Sequence, residues 1–487
     1  MPSSCARKVC STKGSSPELL RFIMIVMKFG GTSLQDAAAI QRCIEAVSLQ
    51  GPLPIAVVLS AMGKSTNRLL EIAQLASSQE LERARRVAQE LHDYHLSVSG
   101  DLISGPRLKQ VSLGLGVLFE ELSDLIKATV EMGECPPRIL DSIASLGERM
   151  STLVFAAALG ESGSQNALLD SRDFVRTDDQ FTQARILPEI TEESIRSQLE
   201  PVLAEGKTAV AQGFIGSTLE GVTTTIGRGG SDYTASLLGA ALEARDIQIW
   251  TDVPGVLTAD PRIVPGAFKI KAISFAEAAE LAYFGAKVLH PSTLLPAIDK
   301  NIPIHVCSSR QIRQPGTLIS TDSIPSETSV KSIACKKGIA IVNIESYRML
   351  LAHGFLRRIF EVFDKHEKVV DAVATTEVSV SLTVDTTEKL DAIIKDLEEF
   401  GDVEIQPNKG IICAVGDNLR YTPGIAWRIF RSLNDINIEM ISQGASQISV
   451  TFLVQEDKME EAVRRLHHEF FVGPDPKLFE PVGQRGP

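Results

Sequence analysis

Residues 354–400 of this chain align without a gap on residues 424–470, at a constant offset of 70. GFLRRIF (354–360) returns as GIAWRIF (424–430), and EVSVSLTV (377–384) returns as QISVTFLV (447–454). Each copy reads helix, strand, strand, helix. An apolar strand stands ahead of each, at 339–344 in the first and 410–415 in the second. The chain therefore carries a βαββαβ unit twice. Two copies are too few for a solenoid, which needs about three or more to bury a continuous core. A duplicated small α/β module behind a larger domain suggests regulation as much as catalysis.

Upstream of the repeat, strand and helix patterns alternate. Residues 23–29 form an apolar run that closes on Gly30-Gly31, and 36–47 have helical spacing. IAVVL at 55–59 is β-branched and apolar, the pattern of a buried strand, and 64–130 are mostly helical. Residues 208–214, 223–226 and 247–251 are further strand candidates, with a helix over 232–244 between them. This alternation implies a mainly parallel sheet with helices on both faces. Ligands of such sheets bind at the carboxyl ends of the strands, where the Gly-rich turns of this chain fall.

The expected fold class is α/β. A three-layer catalytic domain with a mainly parallel sheet is expected over 24–320, followed by a polar linker over 321–332. A first βαββαβ module is expected over 333–405, a second over 406–475 and a tail over 476–487. The length of 487 residues agrees with two to four domains at roughly 100–200 residues each. Residues 1–23 hold four basic residues, one acidic residue and much Ser, and read as a disordered or misassigned start or as an organelle transit peptide. No stretch reaches the roughly 18 apolar residues of a membrane span.

Lys plus Arg is 49 and Asp plus Glu is 61, a net charge of −12. That sign argues against a non-specific nucleic-acid binder, whose phosphate contacts come from Lys and Arg. The seven Cys are scattered and form no CxxC pair, which argues for a reducing compartment such as the cytoplasm and against a disulfide scaffold or zinc site.

Four segments carry potential chemistry. Lys28-Phe29-Gly30-Gly31-Thr32-Ser33 follows a strand, so its glycines let the backbone approach an anion beside the Lys28 charge. It matches neither a Walker A loop nor GxGxxG. Gly227-Arg228-Gly229-Gly230-Ser231-Asp232 joins a strand to a helix read from Tyr233; Arg suits forked recognition of carboxylate or phosphate, while the plainer reading is a turn with Asp232 as N-cap. Thr251-Asp252 and Thr258-Ala259-Asp260-Pro261-Arg262 flank a Pro-Gly turn that fits a nucleotide or is an ordinary turn. In LGERMS (146–151), Glu148 is read as opening a helix, where a lone Glu is usually solvated.

Taken in order, KFGGTS, VVLSAMGKSTNRL (57–69), LGERMS, QGFIG (212–216), GRGGSD, TDVPGVLTADPR (251–262) and GAKVLHP (285–291) resemble the aspartate kinases of the amino-acid-kinase family over about residues 25–470. The duplicated module resembles their paired ACT domains. NIES…MLLAHGFLRRIF (343–360) and VVDAVATTEVSVSLTVD (369–385) look most like the lysine-sensitive, single-function type.

The resemblance implies transfer from ATP, with Mg²⁺, to L-aspartate, giving 4-phospho-L-aspartate for lysine (diaminopimelate), threonine and methionine biosynthesis. It also implies roles at matching positions. Lys28 would contact the transferring phosphate, with Phe29, Gly30, Gly31 and Ser60 around it, and Asp232 would orient Lys28 or the amide donors. Arg228 would fork onto the α-carboxylate of aspartate and Glu148 would pair with its ammonium, with Thr66, Phe214 and Ser231 completing the pocket. Thr251, Asp252, Leu257, Asp260, Arg262 and Lys287 would hold the nucleotide; Leu257 stands where the family often has Tyr, so its contact would be apolar.

Effector contacts would come from Met349, Gly354, Phe355, Leu356, Val370, Asp371, Thr375, Thr376 and Glu377 at ACT–ACT contacts of a homo-oligomer, dimer or tetramer. Asp371 and Glu377 are read either as ammonium partners or as surface charges. Their counterparts in the second copy are Ile441 and Gln447, so that copy reads as a dimerisation partner. Leu351-Ala352 stand where the family is commonly polar, and His290 reads as helix-end packing. Two rivals remain open: another amino-acid kinase such as glutamate kinase, and an effector sensor whose kinase domain is inactive.

Overall fold

A computed structural model describes residues 24–285, 291–322, 329–349, 353–385 and 390–482. The chain divides into two compact units, Met1–Pro254 with Ser292–Thr321, and Gly255–Pro291 with Asp322–Pro487. The segment from Gly255 to Pro291, expected in the catalytic domain, groups by contact with the residues of the repeat in the second of these units.

The first unit opens with β1 (Ile25–Phe29), α1 (Ala37–Ser48), β2 (Ile55–Leu59) and the helices α2 (Ser65–Ser77), α3 (Leu81–Leu102), α4 (Gly105–Met132) and α5 (Pro137–Glu161). Then come β3 (Asn166–Leu168), α6 (Pro188–Ala204), β4 (Thr208–Gln212), β5 (Ile215–Ser217), β6 (Thr223–Thr225), α7 (Gly230–Ala241) and β7 (Asp246–Thr251). The chain next supplies β8 (Phe268–Ile270), β9 (Ala272–Ser274) and α8 (Phe275–Tyr283) to the second unit. It returns to the first with α9 (Leu295–Asp299), β10 (Ile304–Ser308) and β11 (Thr317–Ser320).

Within the first unit the strand order is β3-β4-β2-β1-β7-β10-β11, parallel apart from the β10–β11 pair. Alternate residues of a strand face opposite sides. Ile25, Met27 and Phe29 of β1 and Ile55, Val57 and Leu59 of β2 join the core formed with α1–α5. Val26, Ala56 and Val58, between them, are also fully buried. Helix α7 packs on β1, β2 and β7, and α6 on β2 and β4. A strand apolar on both faces needs cover on both, and the two helix sets supply it.

The second unit holds β12 (Val330–Glu345), α10 (Phe355–Lys365), β13 (Val373–Thr375), β14 (Ser379–Asp385), α11 (Leu390–Leu397), β15 (Asp402–Gly416), α12 (Ile425–Arg431), β16 (Met440–Gln443), β17 (Ser449–Gln455), α13 (Glu456–Phe470) and β18 (Phe479–Pro481). A six-stranded sheet runs β13-β14-β12-β15-β17-β16, antiparallel throughout. β12 and β15 each serve both modules. Residues 339–345 of β12 pair with β14 and with the first half of β15, closing the first module. Residues 330–336 pair with 411–416, so the second module takes its last strand from ahead of the first. Sequence order hid this, because the repeat itself begins only after those residues.

The expected linker is accordingly shorter. Val330, Lys331 and Ser332 are buried strand residues, and Lys331 Nζ pairs with Glu277 at 2.8 Å with both side chains 1% exposed. The expected tail contains β18, paired with β8. Among the described residues no helix is long and apolar enough to cross a membrane, and the described cysteines are free. Residues 1–23, Lys287, His290 and Leu351-Ala352 lie outside the described residues.

Candidate active site

Four turns of the first unit meet at the carboxyl ends of β1, β2 and β4 and the start of α7. Backbone hydrogen bonds stitch them: Ser60 N donates to Phe29 O at 3.1 Å, Gly63 N to Gly31 O at 2.9 Å and Gly213 N to Leu59 O at 2.8 Å. At Gly31 a Cβ would lie 2.8 Å from Gly63 O and 2.9 Å from Ala61 O, so only glycine lets these turns close.

They enclose a cavity of about 340 Å³ lined by Lys28, Gly31, Ser60, Ala61, Gly63, Thr66, Glu148, Phe214, Gly227, Arg228, Gly229, Gly230, Ser231 and Asp232. The structure thus brings together the phosphate and aspartate residues named from the sequence. Gly30 adjoins them, and the ring of Phe29 does not. That ring is fully buried, 5.9 Å from Trp250 and 6.1 Å from Phe155, which leaves only its main chain for a ligand.

Lys28 Nζ lies 2.6 Å from Asp232 Oδ1, an ionic contact rather than a well-angled hydrogen bond. Helix α7 begins at Gly230 with Gly229 as its N-cap at φ 72°, not at Tyr233 with Asp232 as cap. The left-handed turn at Gly229 moves the helix start forward. Asp232 then sits in the first turn, facing Lys28. The first amides of α7 supply partial positive charge where anions are expected.

Glu148 does not open a helix either. It lies inside α5, which starts at Pro137 and continues through Gly147 because its apolar spacing is unbroken. Its Oε1 accepts from Ala61 N at 3.1 Å, and its buried Oε2 has no hydrogen-bond partner. Burial pushes its pKa up to about 8, against the opposing pull of the Ala61 amide and Lys28. A carboxylate with one bare oxygen is suited to a ligand ammonium.

Arg228 is exposed at the turn between Gly227 (φ 75°) and Gly229. Phe214 holds φ 69°, a costly conformation for a side-chain-bearing residue, and is fixed by Ile226 N donating to its carbonyl at 3.0 Å. Asp141, which sequence reasoning missed, accepts from Thr225 N and Thr182 N at 2.9 Å and from Thr225 Oγ1 at 2.7 Å. It anchors the strand leading to Arg228 from the same helix that carries Glu148. Nothing in its sequence surroundings marks it out. Ala61 and Gly63 were visible within VVLSAMGKSTNRL but had been given no role.

The nucleotide set is more dispersed. Thr251 O accepts from Ser309 Oγ at 3.0 Å, and Asp252 lies 3.7 Å from Arg310, all in the first unit. In the second unit, Asp260 Oδ1 accepts from Arg262 Nε at 3.0 Å, and the half-buried Leu257 offers its carbonyl to Ser332 Oγ at 2.8 Å. Of the effector set, Phe355 is buried, Met349 and Val370 pack against the first module's core, and Leu356, Thr375, Thr376 and Glu377 are exposed. Gly354 caps α10 at φ 74°.

Comparison with known proteins decides the family. The amino acid kinase family matches residues 24–308, and an ACT domain matches residues 412–470. Lysine-sensitive aspartokinase 3 of Escherichia coli K12 is 37% identical over 465 residues, covering 92% of this chain and 99% of that protein. The chain belongs to the aspartokinase family. Aspartokinase 2, chloroplastic, of Arabidopsis thaliana is 36% identical over 484 residues, covering 95% of this chain and 86% of that one. The crystal structure of E. coli aspartokinase III with aspartate and ADP (R-state) is similar with a TM-score of 0.82 at 36% identity, covering 92% of this chain and 100% of that one. The same aspartokinase with lysine and aspartate (T-state) gives a TM-score of 0.76.

Proposed function

We propose that this chain transfers the γ-phosphoryl group of ATP to the side-chain carboxylate of L-aspartate, and that its ACT modules make the step answer to lysine. The observation that carries the reading is the cavity in which Lys28, Arg228 and Glu148 converge. Arg228 and Glu148 match the α-carboxylate and the ammonium of aspartate, with Lys28 and the α7 amides left for the transferring phosphate.

An aspartate carboxylate is already ionised at neutral pH, so the nucleophile needs no general base. One of its oxygens attacks the γ-phosphorus, the bond to the β-bridging oxygen breaks, and ADP leaves with that electron pair. The obstacle is repulsion between two anions. Lys28, held by Asp232, and the first amides of α7 oppose it while the substrates are kept in line. Arg228 takes the α-carboxylate and Glu148 the ammonium. Mg²⁺ bound to the nucleotide would offset part of its phosphate charge. Thr251, Asp252, Leu257, Asp260, Arg262 and Lys287 are assigned to that nucleotide.

The effector residues are assigned to lysine, and the exposed Leu356, Phe360 and Val373 of the first module to contact with a second copy of the chain. We place the enzyme in a reducing, aqueous compartment, the cytoplasm. ADP release coupled to hydroxylamine trapping, with aspartate and glutamate compared, tests the reading. Equal turnover on glutamate would assign a different acceptor; lysine binding without any trapped acyl phosphate would make the chain a sensor.

A further inference from the structure

Helix α8 ends at Tyr283, and the Tyr283 hydroxyl donates to Asp371 Oδ1 at 2.8 Å. Lys336 Nζ stands 3.9 Å from that same oxygen while it holds Asp385 at 2.7 Å. Asp371 Oδ2 is buried without a hydrogen-bond donor, and the side chain is 7% exposed. Beside it opens a cavity of about 710 Å³ whose lining includes Ala279, Glu280, Tyr283, Asp371, Ser446 and Ser449. A buried carboxylate oxygen without a donor is costly, and a cationic ligand relieves it.

We infer that Tyr283 is a positioning residue for the effector: its hydroxyl holds Asp371 Oδ1, which leaves the buried, donor-free Oδ2 beside the cavity as the seat of a primary ammonium. This rests on the reading of Asp371 as an effector contact. The backbone supports it, since Asp371 N is tied to Thr383 O at 2.9 Å and leaves only the side chain to be oriented. The other end of α8 is fixed by the Ser274–Glu277 capping box and the buried Lys331–Glu277 pair, so Tyr283 projects from an anchored helix. The repeat supplies a contrast. Ile441 replaces Asp371 in the second module, which offers hydroxyls to this cavity but no equivalent acid.

The groups facing Asp371 are Tyr283 and Glu280 of α8, Lys336 of β12, Asp385 of β14 and Lys368. Burial raises the Asp371 pKa; the Tyr283 hydrogen bond and the Lys336 charge oppose this. Tyr283 stays a donor, because burial and Asp371 raise its own pKa far above neutrality.

The test is calorimetric titration of the full chain with L-lysine, for the unaltered protein, Tyr283→Phe and Asp371→Asn, across pH. Tyr283→Phe is expected to weaken lysine binding about tenfold, the scale of one hydrogen bond to a charged group. Its binding should also fade at a higher pH than in the unaltered chain, because burial then raises the Asp371 pKa with less opposition. Asp371→Asn is expected to abolish binding. Unchanged affinity and pH profile in Tyr283→Phe, with binding lost in Asp371→Asn, would overturn the positioning role and leave the effector reading standing. Full binding by Asp371→Asn would overturn both.

Discussion

Lys28 Nζ and Asp232 Oδ1 lie 2.6 Å apart, although 204 residues separate them in sequence (232 − 28), one at the end of β1 and the other in the first turn of α7. The contact points the lysine charge to the place where the strand end and the helix amides meet. Lys28→Ala should therefore lower the turnover number at least a hundredfold, the scale of losing one transition-state charge contact, with the melting temperature nearly unchanged. Turnover measured by coupled ADP release checks this; a near-normal rate would remove Lys28 from the mechanism.

Glu148 should govern the pH dependence of aspartate use. With its pKa raised to about 8 by burial, the free enzyme holds the group largely protonated at pH 6. Ammonium capture needs the carboxylate, so kcat/KM for aspartate should rise with pH towards 8, and Glu148→Gln should flatten that limb and raise KM at least tenfold. The stability sign follows from linkage. A carboxyl whose folded pKa lies above its unfolded value gives stability that is present below the unfolded pKa and lost as pH rises through the folded one. Glu148→Gln should thus melt no lower than the parent at pH 9, which thermal unfolding at several pH values can show.

Arg228 is exposed and sits between two glycines with positive φ. Its removal should cost little stability, within about 0.5 kcal/mol. Arg228→Ala should instead raise KM for aspartate while KM for ATP stays within about twofold. Steady-state kinetics with each substrate varied separate the two; an effect confined to ATP would contradict the assignment.

Thr376 ties the turn between β13 and β14, its Oγ1 accepting from Ser379 N at 3.0 Å and sharing a 2.7 Å contact with Ser379 Oγ. Thr376→Ile removes both and adds bulk at an exposed turn. The lysine concentration for half-inhibition should rise at least tenfold. Full sensitivity in an inhibition titration would move the effector elsewhere.

Much of this was legible because it is local. Strand β2 falls on residues 55–59 as read, since a β-branched apolar run has few other stable states. The Gly-rich turns announced themselves because glycine accepts close backbone approach and positive φ at least cost, as Gly31 and Gly229 show. From the sequence Glu148 reads as a helix start, yet the apolar spacing of α5 carries the helix from Pro137 through Gly147 and past it.

The sequence by itself determined several of the strands and helices, that a βαββαβ unit occurs twice, and which short turns carry the charged groups. Tertiary structure alone decided that residues 330–336 complete the second module, that the segment from Gly255 to Pro291 groups by contact with the unit that holds the repeat, and that Tyr283 meets Asp371. The reason is physical. Periodicity and turn chemistry act over a few residues, whereas strand partners and ion pairs are chosen by which distant surfaces bury each other, and no local pattern encodes that choice.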